Sequence, residues 1–485
     1  MTAENLYELG KAEGIKHKIP TTGQIVYQRP RRQARALQKF VRKEAREMLA
    51  CGIISPSTSP HNTPIHLAKK KGGEYRFCLD FWQLNSITTK DKFPLPRIDE
   101  TIDYLYGSKF FSTLDLISGY WQIEIDEQDK PKTAFSTEDG HYQFNRMPFG
   151  LTNAPATFQR LMNHILRSVI RKFALVYLDD VIIYSTSIEQ HIAHIYIVLG
   201  LLKEAGLKIK LSKCTFLQTS INYLGHVISD KGITPDPKKT DAISNYPRPM
   251  TISQLKSFLG LAGYYRKFIK NFAERAHALT MLTRKNNPWK WAQEEEEAFQ
   301  FLKKCLINPP ILRYPNFARE FLIHSDASGY GVGSVLSQIH TENGEEKEVV
   351  IAYASRHLSD VEKNWSTIEK EAYAIVHAVK QFYPYLYGRK FQVLISDHKP
   401  LRELLRKKET SAKLASWALC LQDYDIDIDY RAGKANQNAD CLSRIPEPDD
   451  DKTTQLEQTP VIKALTTINF AEEQVKDKYC KTARD

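Results

Sequence analysis

The sequence predicts a multidomain chain of mixed α+β and α/β character, and three observations carry that expectation. Its 485 residues correspond to three or four folding units at roughly 100–200 residues per domain. Short β-rich runs alternate with helical stretches along most of the length. Two breaks in composition divide the chain, a proline-rich one at 235–249 and a second at Asn308-Pro309-Pro310.

Taken in order, residues 1–50 are a lead-in that becomes intensely basic, with Arg29, Arg31, Arg32, Arg35, Lys39, Arg42 and Lys43 close together. A solvated helix face and a strip that grips a polyanion both fit that run. Residues 51–230 hold FFSTLDL, GYWQIEI, HYQFNRM and FALVYLDDVIIY among helical stretches and read as one large α/β-textured domain. Pro235, Pro237, Pro247 and Pro249 mark a boundary, and SQLKSFLGLAGYYRKFIKNF then opens a helical unit over 236–310. Residues 316–446 again alternate strands and helices, as a third domain. The acidic, proline-containing stretch PEPDDDKTTQLEQTP begins a linker or truncated tail over 447–485.

Composition narrows the function classes. Hydrophobic residues make up 42% and aromatics 11%, enough for several cores, and 68 Lys+Arg against 57 Asp+Glu leave a net charge of +11. That balance excludes an acidic solvating chain and makes a polyanion the first partner to test. The longest apolar run, Ile195–Leu202, falls far short of the roughly 18–20 residues a membrane span needs, so no membrane is expected. The first residues lack the apolar core of a secretory signal, and a reducing intracellular setting follows. The seven cysteines are scattered and never form a C-x-x-C pair, so neither a disulfide framework nor a zinc site is expected.

Acidic residues stand where structure alone does not ask for them. Asp179-Asp180 lies between the apolar runs FALV and VIIY, as at the tip of a hairpin. Asp is a common turn residue, but the turn lacks the Gly that usually follows, and adjacent like charges repel unless a cation joins them. Asp115 ends the strand FFSTLD, where alone it reads as a turn or cap residue. Three carboxylates at strand ends match the ligands of a two-metal phosphoryl-transfer site. Further on, Asp326 and Asp397 each follow an apolar strand, and Asp440 sits in a polar stretch where an N-cap is an equal reading. Glu371 shares a helical stripe with Ile368, Ile375, Ala378 and Phe382, whereas Glu369 lies off it. A carboxylate on an inward face costs several kcal/mol unless paired or metal-bound, which singles out Glu371.

One helix presents an unusual outer face. In 253–272, Leu255, Phe258, Leu259, Ala262, Tyr265, Ile269 and Phe272 form an apolar stripe, and the opposite face reads Lys256, Gly260, Gly263, Lys267, Lys270. Interior glycines cost about 1 kcal/mol each relative to alanine, so they need a reason. Close approach to a phosphate backbone is one, and packing on another protein helix is the other.

The order YRFCLDFWQLN, FFSTLDLISGYWQIEI, TAFSTEDGHYQFNRMPFGLTNAPATFQRLMN, VYLDDVIIYS and YLGHVIS resembles the reverse transcriptases of gypsy-like LTR retrotransposons, and SDASGYGVGSVL, EKEAYAIVHAV, SDHKPL and NADCLSR resemble the ribonuclease H of the same polyproteins. The resemblance covers about residues 20–446. It implies a right-hand polymerase, with fingers and palm over 51–230 and thumb over 236–310, followed by a mixed-sheet ribonuclease H domain. Asp115, Asp179 and Asp180 would hold two Mg²⁺ ions at the palm, and Asp326, Glu371, Asp397 and Asp440 two more at the nuclease, with Mn²⁺ as a substitute. Tyr120 would exclude a 2′-OH, Lys70 and Arg76 would contact the triphosphate of the incoming dNTP, and Phe149 and Gly150 would back its pocket. Leu224, Gly225 and His226 would form the strand that grips the primer end, and the Lys–Gly face would track the template–primer duplex. The implied partners are an RNA template, a DNA primer, an RNA/DNA hybrid and dNTPs. A second copy on substrate and other Pol domains are further implied partners, and the setting is a cytoplasmic particle with a nuclear phase. Two departures stand out: Trp82 where the family usually has Arg, and Ser before the first and third nuclease acids where Thr is common. His398 reads as a surface histidine. A decayed element that binds nucleic acid without catalysis is the rival reading, and the presence of all seven acids speaks against it. A metal-dependent nuclease alone leaves Asp115, Tyr120, Asp179 and Asp180 unexplained.

Overall fold

The computed structural model describes residues 2–3, 5–69, 75–285, 287–342, 344–395 and 412–430. Helix α1 (Arg35–Ala50) carries the later part of the basic run, and acids answer some of these cations: Arg42 and Arg46 reach Asp139, Arg42 also Glu138, and Arg31, ahead of the helix, Asp80. Strands β1 (Ile65–Lys69) and β2 (Tyr75–Leu79) form an antiparallel ribbon ahead of α2 (Trp82–Ile87) and α3 (Ile98–Asp103).

The central sheet comes next. Strands β3 (Phe110–Asp115), β4 (Ala174–Tyr177), β5 (Asp180–Ser185) and β6 (Thr215–Gln218) assemble in the order β6-β3-β5-β4, all antiparallel. Helix α4 (Ala154–Ile165) lies between β3 and β4 in sequence, and α5 (Ile188–Glu204) packs on β3 and β5. The uninterrupted apolar run of β5 is explained by burial on both faces. Val181 and Ile183 join a core with Phe135, Phe144 and Phe158. Ile182 and Tyr184 join a second core with Phe111, Leu175, Phe258, Tyr265 and Phe299. Period-2 alternation thus sends alternate residues of one strand into two cores, as buried central strands require.

Strands β7 (Ser220–Tyr223), β8 (His226–Ser229) and β9 (Gly232–Pro235) form a small antiparallel sheet. Helix α6 (Ile252–Tyr264) follows, its start fixed by the Thr251 hydroxyl accepting the Gln254 amide. The helix expected through 272 ends at Tyr264. A 3₁₀ turn, Arg266–Phe268, and a left-handed Asn271 (φ 53°) redirect the chain into α7 (Phe272–Arg275), α8 (His277–Leu282) and α9 (Gln293–Ile307). Tyr265, Phe268 and Ile269 are drawn into the second core, and that burial outweighs helical continuity.

The last sheet orders as β12-β11-β10-β13-β14, from β10 (Phe321–Ala327), β11 (Gly331–Glu342), β12 (Glu345–His357), β13 (Lys390–Ile395) and β14 (Asp425–Tyr430). The first three pair antiparallel and β10-β13-β14 parallel, so the sheet is mixed as expected. Helix α10 (Thr367–Gln381) opens with a capping box, Ser366 with Glu369, and packs across β10 and β11 through Ile375 and Val379. The short α11 (Tyr383–Leu386) and α12 (Ala412–Gln422) complete this layer. Among the described residues no helix is long and apolar enough to cross a membrane. The five described cysteines form no disulfide with one another.

Candidate active sites

The β3, β4 and β5 register assembles the first acidic cluster. Asp180 opens β5 and pairs across the ladder with Asp115, the last residue of β3. Leu178-Asp179 is the two-residue turn between β4 and β5, with Leu178 held at φ 54°. So only Asp179 stands in the turn, and Asp180 is already in the strand. The carboxyl of Asp179 is pushed up to about 6, by burial first and then by Asp180 and Asp115, with Lys213 opposing. Asp180 is raised by the same burial and by Asp115. Lys213 Nζ stands 3.3 Å from both oxygens of Asp115. Asp179 Oδ1 is buried and receives no hydrogen bond from any described residue.

These features test the fit to a divalent cation. An orphaned buried carboxylate oxygen, two neighbouring carboxylates and a lysine leaning into the cluster describe uncompensated negative charge. Hard oxygen donors of this kind suit Mg²⁺, which binds through a few carboxylates and completes its shell with water and phosphate. Among the described residues no group of three or more His, Cys, Asp or Glu side chains converges closely enough to hold a metal ion by itself, so water and substrate phosphate would have to complete the shell here. An open site of this type leaves room for substrate oxygens.

The floor beside the acids is aromatic. Tyr120 is nearly buried, stacks on Phe149 with ring centroids 5.1 Å apart, and leans on Phe158 at 5.4 Å. Burial first and Asp179 second push its hydroxyl up to about 12, so it stays protonated. A Cβ on Gly119 would stand 3.0 Å from Phe158 and 3.1 Å from Asp179 Oδ1, so this glycine makes room for the acid. Gly150 sits at φ 97°, and Asn85 clamps its loop by donating to Gly150 O and accepting from Thr152 N, both at 2.8 Å. Arg76 is exposed on β2, and Trp82 is 71% exposed at the start of α2. Lys70 lies outside the described residues.

Leu224 and Gly225, expected in a strand, instead form the turn between β7 and β8, at φ 47° and 76°. Two left-handed residues are what a tight hairpin turn with the native twist needs. Helix α6 holds this turn: Tyr264 donates to Leu224 O at 2.6 Å and Tyr265 to Gly225 O at 2.8 Å. His226 is buried among Tyr264, Tyr265 and Phe268. Lys256 and Gly260 are exposed on α6, and nothing described lies within 4 Å of a Cβ built on Gly260 or Gly263. The break after Tyr264 removes Lys267 and Lys270 from that face. Lys267 instead pairs with Asp99 at 3.0 Å, and Lys270 belongs to the turn before Asn271.

The second cluster is partly described. Asp326 is exposed near the end of β10, opposite Gly333 of β11. Glu371 is 8% exposed on the inner face of α10, as its stripe predicts, while Glu369 caps the helix and pairs with Lys413 at 2.9 Å. Strand β13 ends at Ile395, the parallel partner of Ser325. Asp397, His398 and Asp440 lie outside the described residues.

Lys213 and Gln159 escaped sequence reasoning. Lys213 carries no local signal, because lysines recur throughout 208–213. Gln159 does carry one: it is a fully buried amide on the inner face of α4, and the stripe logic that selected Glu371 applies to it equally.

An acidic strand-and-turn centre on an antiparallel sheet, a helical unit clamping a hairpin, and a mixed-sheet domain beyond it define a right-hand polymerase fold joined to a ribonuclease H-like fold. Comparisons agree. The model for "Reverse transcriptase (RNA-dependent DNA polymerase)" matches residues 68–228, and that for "RNase H-like domain found in reverse transcriptase" matches 291–393. The retrovirus-related Pol polyprotein from transposon 297 of Drosophila melanogaster is 45% identical over 438 residues, which cover 89% of this chain and 40% of that protein. That from transposon gypsy of the same organism is 38% identical over 437 residues, 86% of this chain and 41% of the relative. The foamy viral protease-reverse transcriptase dRH in complex with double-stranded DNA shares the fold, with a TM-score of 0.77 at 24% identity over 88% of this chain and 75% of that one. The chain carries a reverse transcriptase domain and a ribonuclease H-like domain, has homologues among the Pol polyproteins of gypsy-like transposons, and spans about two fifths of the length of those relatives.

Proposed function

We propose that the chain is an RNA-directed and DNA-directed DNA polymerase with a ribonuclease H that hydrolyses the RNA strand of RNA/DNA hybrids, acting in retrotransposon replication. The observation that carries the reading is the Asp115/Asp180 cross-strand pair with Asp179 in the adjoining turn, its buried oxygen left without a donor among the described residues. Asp115, Asp179 and Asp180 would hold Mg²⁺ at the palm, and Asp326 and Glu371, with Asp397 and Asp440, would hold it at the nuclease. When bound, the metal supplies charge stabilisation to the attacking and leaving oxygens of an in-line phosphoryl transfer.

The chain's own groups do the rest. The Tyr120–Phe149 stack forms a rigid floor for the deoxyribose, and a protonated Tyr120 presents steric bulk rather than charge. Arg76, on the open face of β2, faces the incoming triphosphate. The Leu224-Gly225 turn, pinned by Tyr264 and Tyr265, presses the primer terminus, while Lys256 and the bare backbone at Gly260 and Gly263 accept the duplex. We assign 51–230 to fingers and palm, 236–310 to thumb and 316–446 to the nuclease.

Primer extension on poly(rA)·oligo(dT) with Mg²⁺ tests the reading. Asp179→Asn is expected to abolish extension and spare hybrid cleavage, and Glu371→Gln to do the reverse. Survival of both activities in both variants, or duplex binding by the unaltered chain with neither activity, overturns it.

A further inference from the structure

The Leu178-Asp179 turn is strained in a way its own sequence does not relieve. Leu178 occupies the left-handed region at φ 54°, where a Cβ-bearing, bulky side chain is disfavoured and Gly or Asn is the usual occupant. The strain persists only if the surroundings over-determine it. One side chain does so. Gln159 of α4 is 0% exposed, and its Oε1 accepts the Leu178 amide at 2.8 Å. Its Nε2 donates to Val176 O at 3.3 Å, on the strand entering the turn, and to Asn163 Oδ1 at 2.9 Å, one helical turn along α4. The amide therefore reads both the last stretch of β4 and the first turn residue, and Asn163 fixes which way round it sits. Asp179 is the next residue, and no described donor holds its buried Oδ1, so its place depends on the backbone beneath it.

We propose that Gln159 is a positioning residue of the polymerase centre, whose side-chain amide locks Leu178 in its left-handed conformation and so sets the Asp179 carboxylate beside Asp115 and Asp180. This rests on the polymerase reading above. The residue touches neither substrate nor reacting atoms and acts through the turn alone. A role in core stability only would lower the melting temperature without altering the metal dependence of extension.

The test uses the full chain and four variants: Gln159→Met, Leu178→Val, Leu178→Gly and the Gln159→Met/Leu178→Gly double. Single-turnover primer extension is titrated with Mg²⁺, and hybrid cleavage is measured on the same preparations. Gln159→Met is expected to slow extension by about 10- to 100-fold, as small misplacements of a reacting group do. It should also raise the Mg²⁺ concentration for half-maximal rate, with the KM for dTTP within about two-fold and hybrid cleavage unchanged. Gly adopts the left-handed region without help, so the double variant should recover most of the lost rate. Leu178→Val, whose β-branch is least tolerant of that region, should reproduce the defect with Gln159 intact, and it decides the matter if Gln159→Met does not fold. Extension by Gln159→Met within about two-fold of the unaltered chain, a double variant no better than the single, or an unimpaired Leu178→Val overturns the proposal. Absence of extension in the unaltered chain, or its persistence in Asp179→Asn, sinks the polymerase reading instead.

Discussion

At the residue scale, the palm cluster is an electrostatic problem that Lys213 partly solves. Its ammonium bridges both oxygens of Asp115 and occupies space that a cation would share. The pair is more than half exposed on the lysine side, so its own contribution to stability is small, within about 0–1 kcal/mol. Its effect on metal binding has the opposite sign. Lys213→Met is expected to tighten Mg²⁺ by roughly two- to five-fold, the factor that such an energy represents. Melting temperature followed against Mg²⁺ concentration reads this directly, and an unchanged or weaker half-saturation would count against it. Individual acids were readable in the sequence because each broke a local rule: an inward Glu371, a glycine-free Asp turn, a strand ending in Asp115. Lys213 broke none, and its role exists only once α5 returns the chain to the edge of β3.

At the element scale, the turn between β7 and β8 is the part of the proposed primer site whose shape depends on another element. Tyr264, the last residue of α6, and Tyr265, its C-cap, donate to the carbonyls of Leu224 and Gly225. Tyr265 is buried, whereas Tyr264 is exposed, so the two bonds differ in cost when broken. Tyr265→Phe removes one of two donors to Gly225 O, which also accepts the Asp236 amide, and is expected to destabilise the protein by about 0.5–1.5 kcal/mol. Tyr264→Phe should cost less, yet still weaken grip on the primer terminus. The expected signature is faster dissociation of template–primer and shorter products in a single binding cycle. Equal product lengths for Tyr264→Phe and the unaltered chain would detach α6 from primer handling. The end of α6 itself was not legible. Apolar residues keep helical spacing through Phe272, and only three-dimensional burial of Tyr265, Phe268 and Ile269 shows why the helix stops and Lys267 turns to Asp99.

At the scale of the whole molecule, the reverse transcriptase and ribonuclease H-like domains meet around one half-buried acid. Asp103 of α3 accepts a hydrogen bond from Tyr385 of α11 and lies near Asp99, Glu100 and Lys267. Arg97, Arg266 and Arg313 line the same cleft. Burial, reinforced by Asp99 and Glu100, pushes its carboxyl from 3.8 up to about 7, against the opposing pull of Tyr385 and Lys267. The folded protein then holds a proton that the unfolded chain has released, so stability falls as pH rises from about 4 and levels off above about 7. Asp103→Asn keeps an acceptor for Tyr385 and removes this titration. Its melting temperature is expected to exceed that of the unaltered chain at pH 8 and to converge with it near pH 4. A difference that is the same at both pH values would mean that Asp103 is not protonated in the fold. No motif announced this contact, because its two halves lie 282 positions apart and neither residue type is unusual where it stands. Strand–helix alternation was legible along the sequence, whereas the joint between Asp103 and Tyr385 was not.

Strand β5 has a consequence for modularity. Because Val181 and Ile183 face one core while Ile182 and Tyr184 face another that α6 and α9 complete, the strand that opens on Asp180 is fitted to two partners at once. A chimaera that joins the front half of this chain to the back half of a relative would therefore fail or succeed on four side chains far from the seam. Compatible exchange requires Phe111, Leu175, Ile182 and Tyr184 to travel with the helices they interlock with, wherever the crossover is drawn.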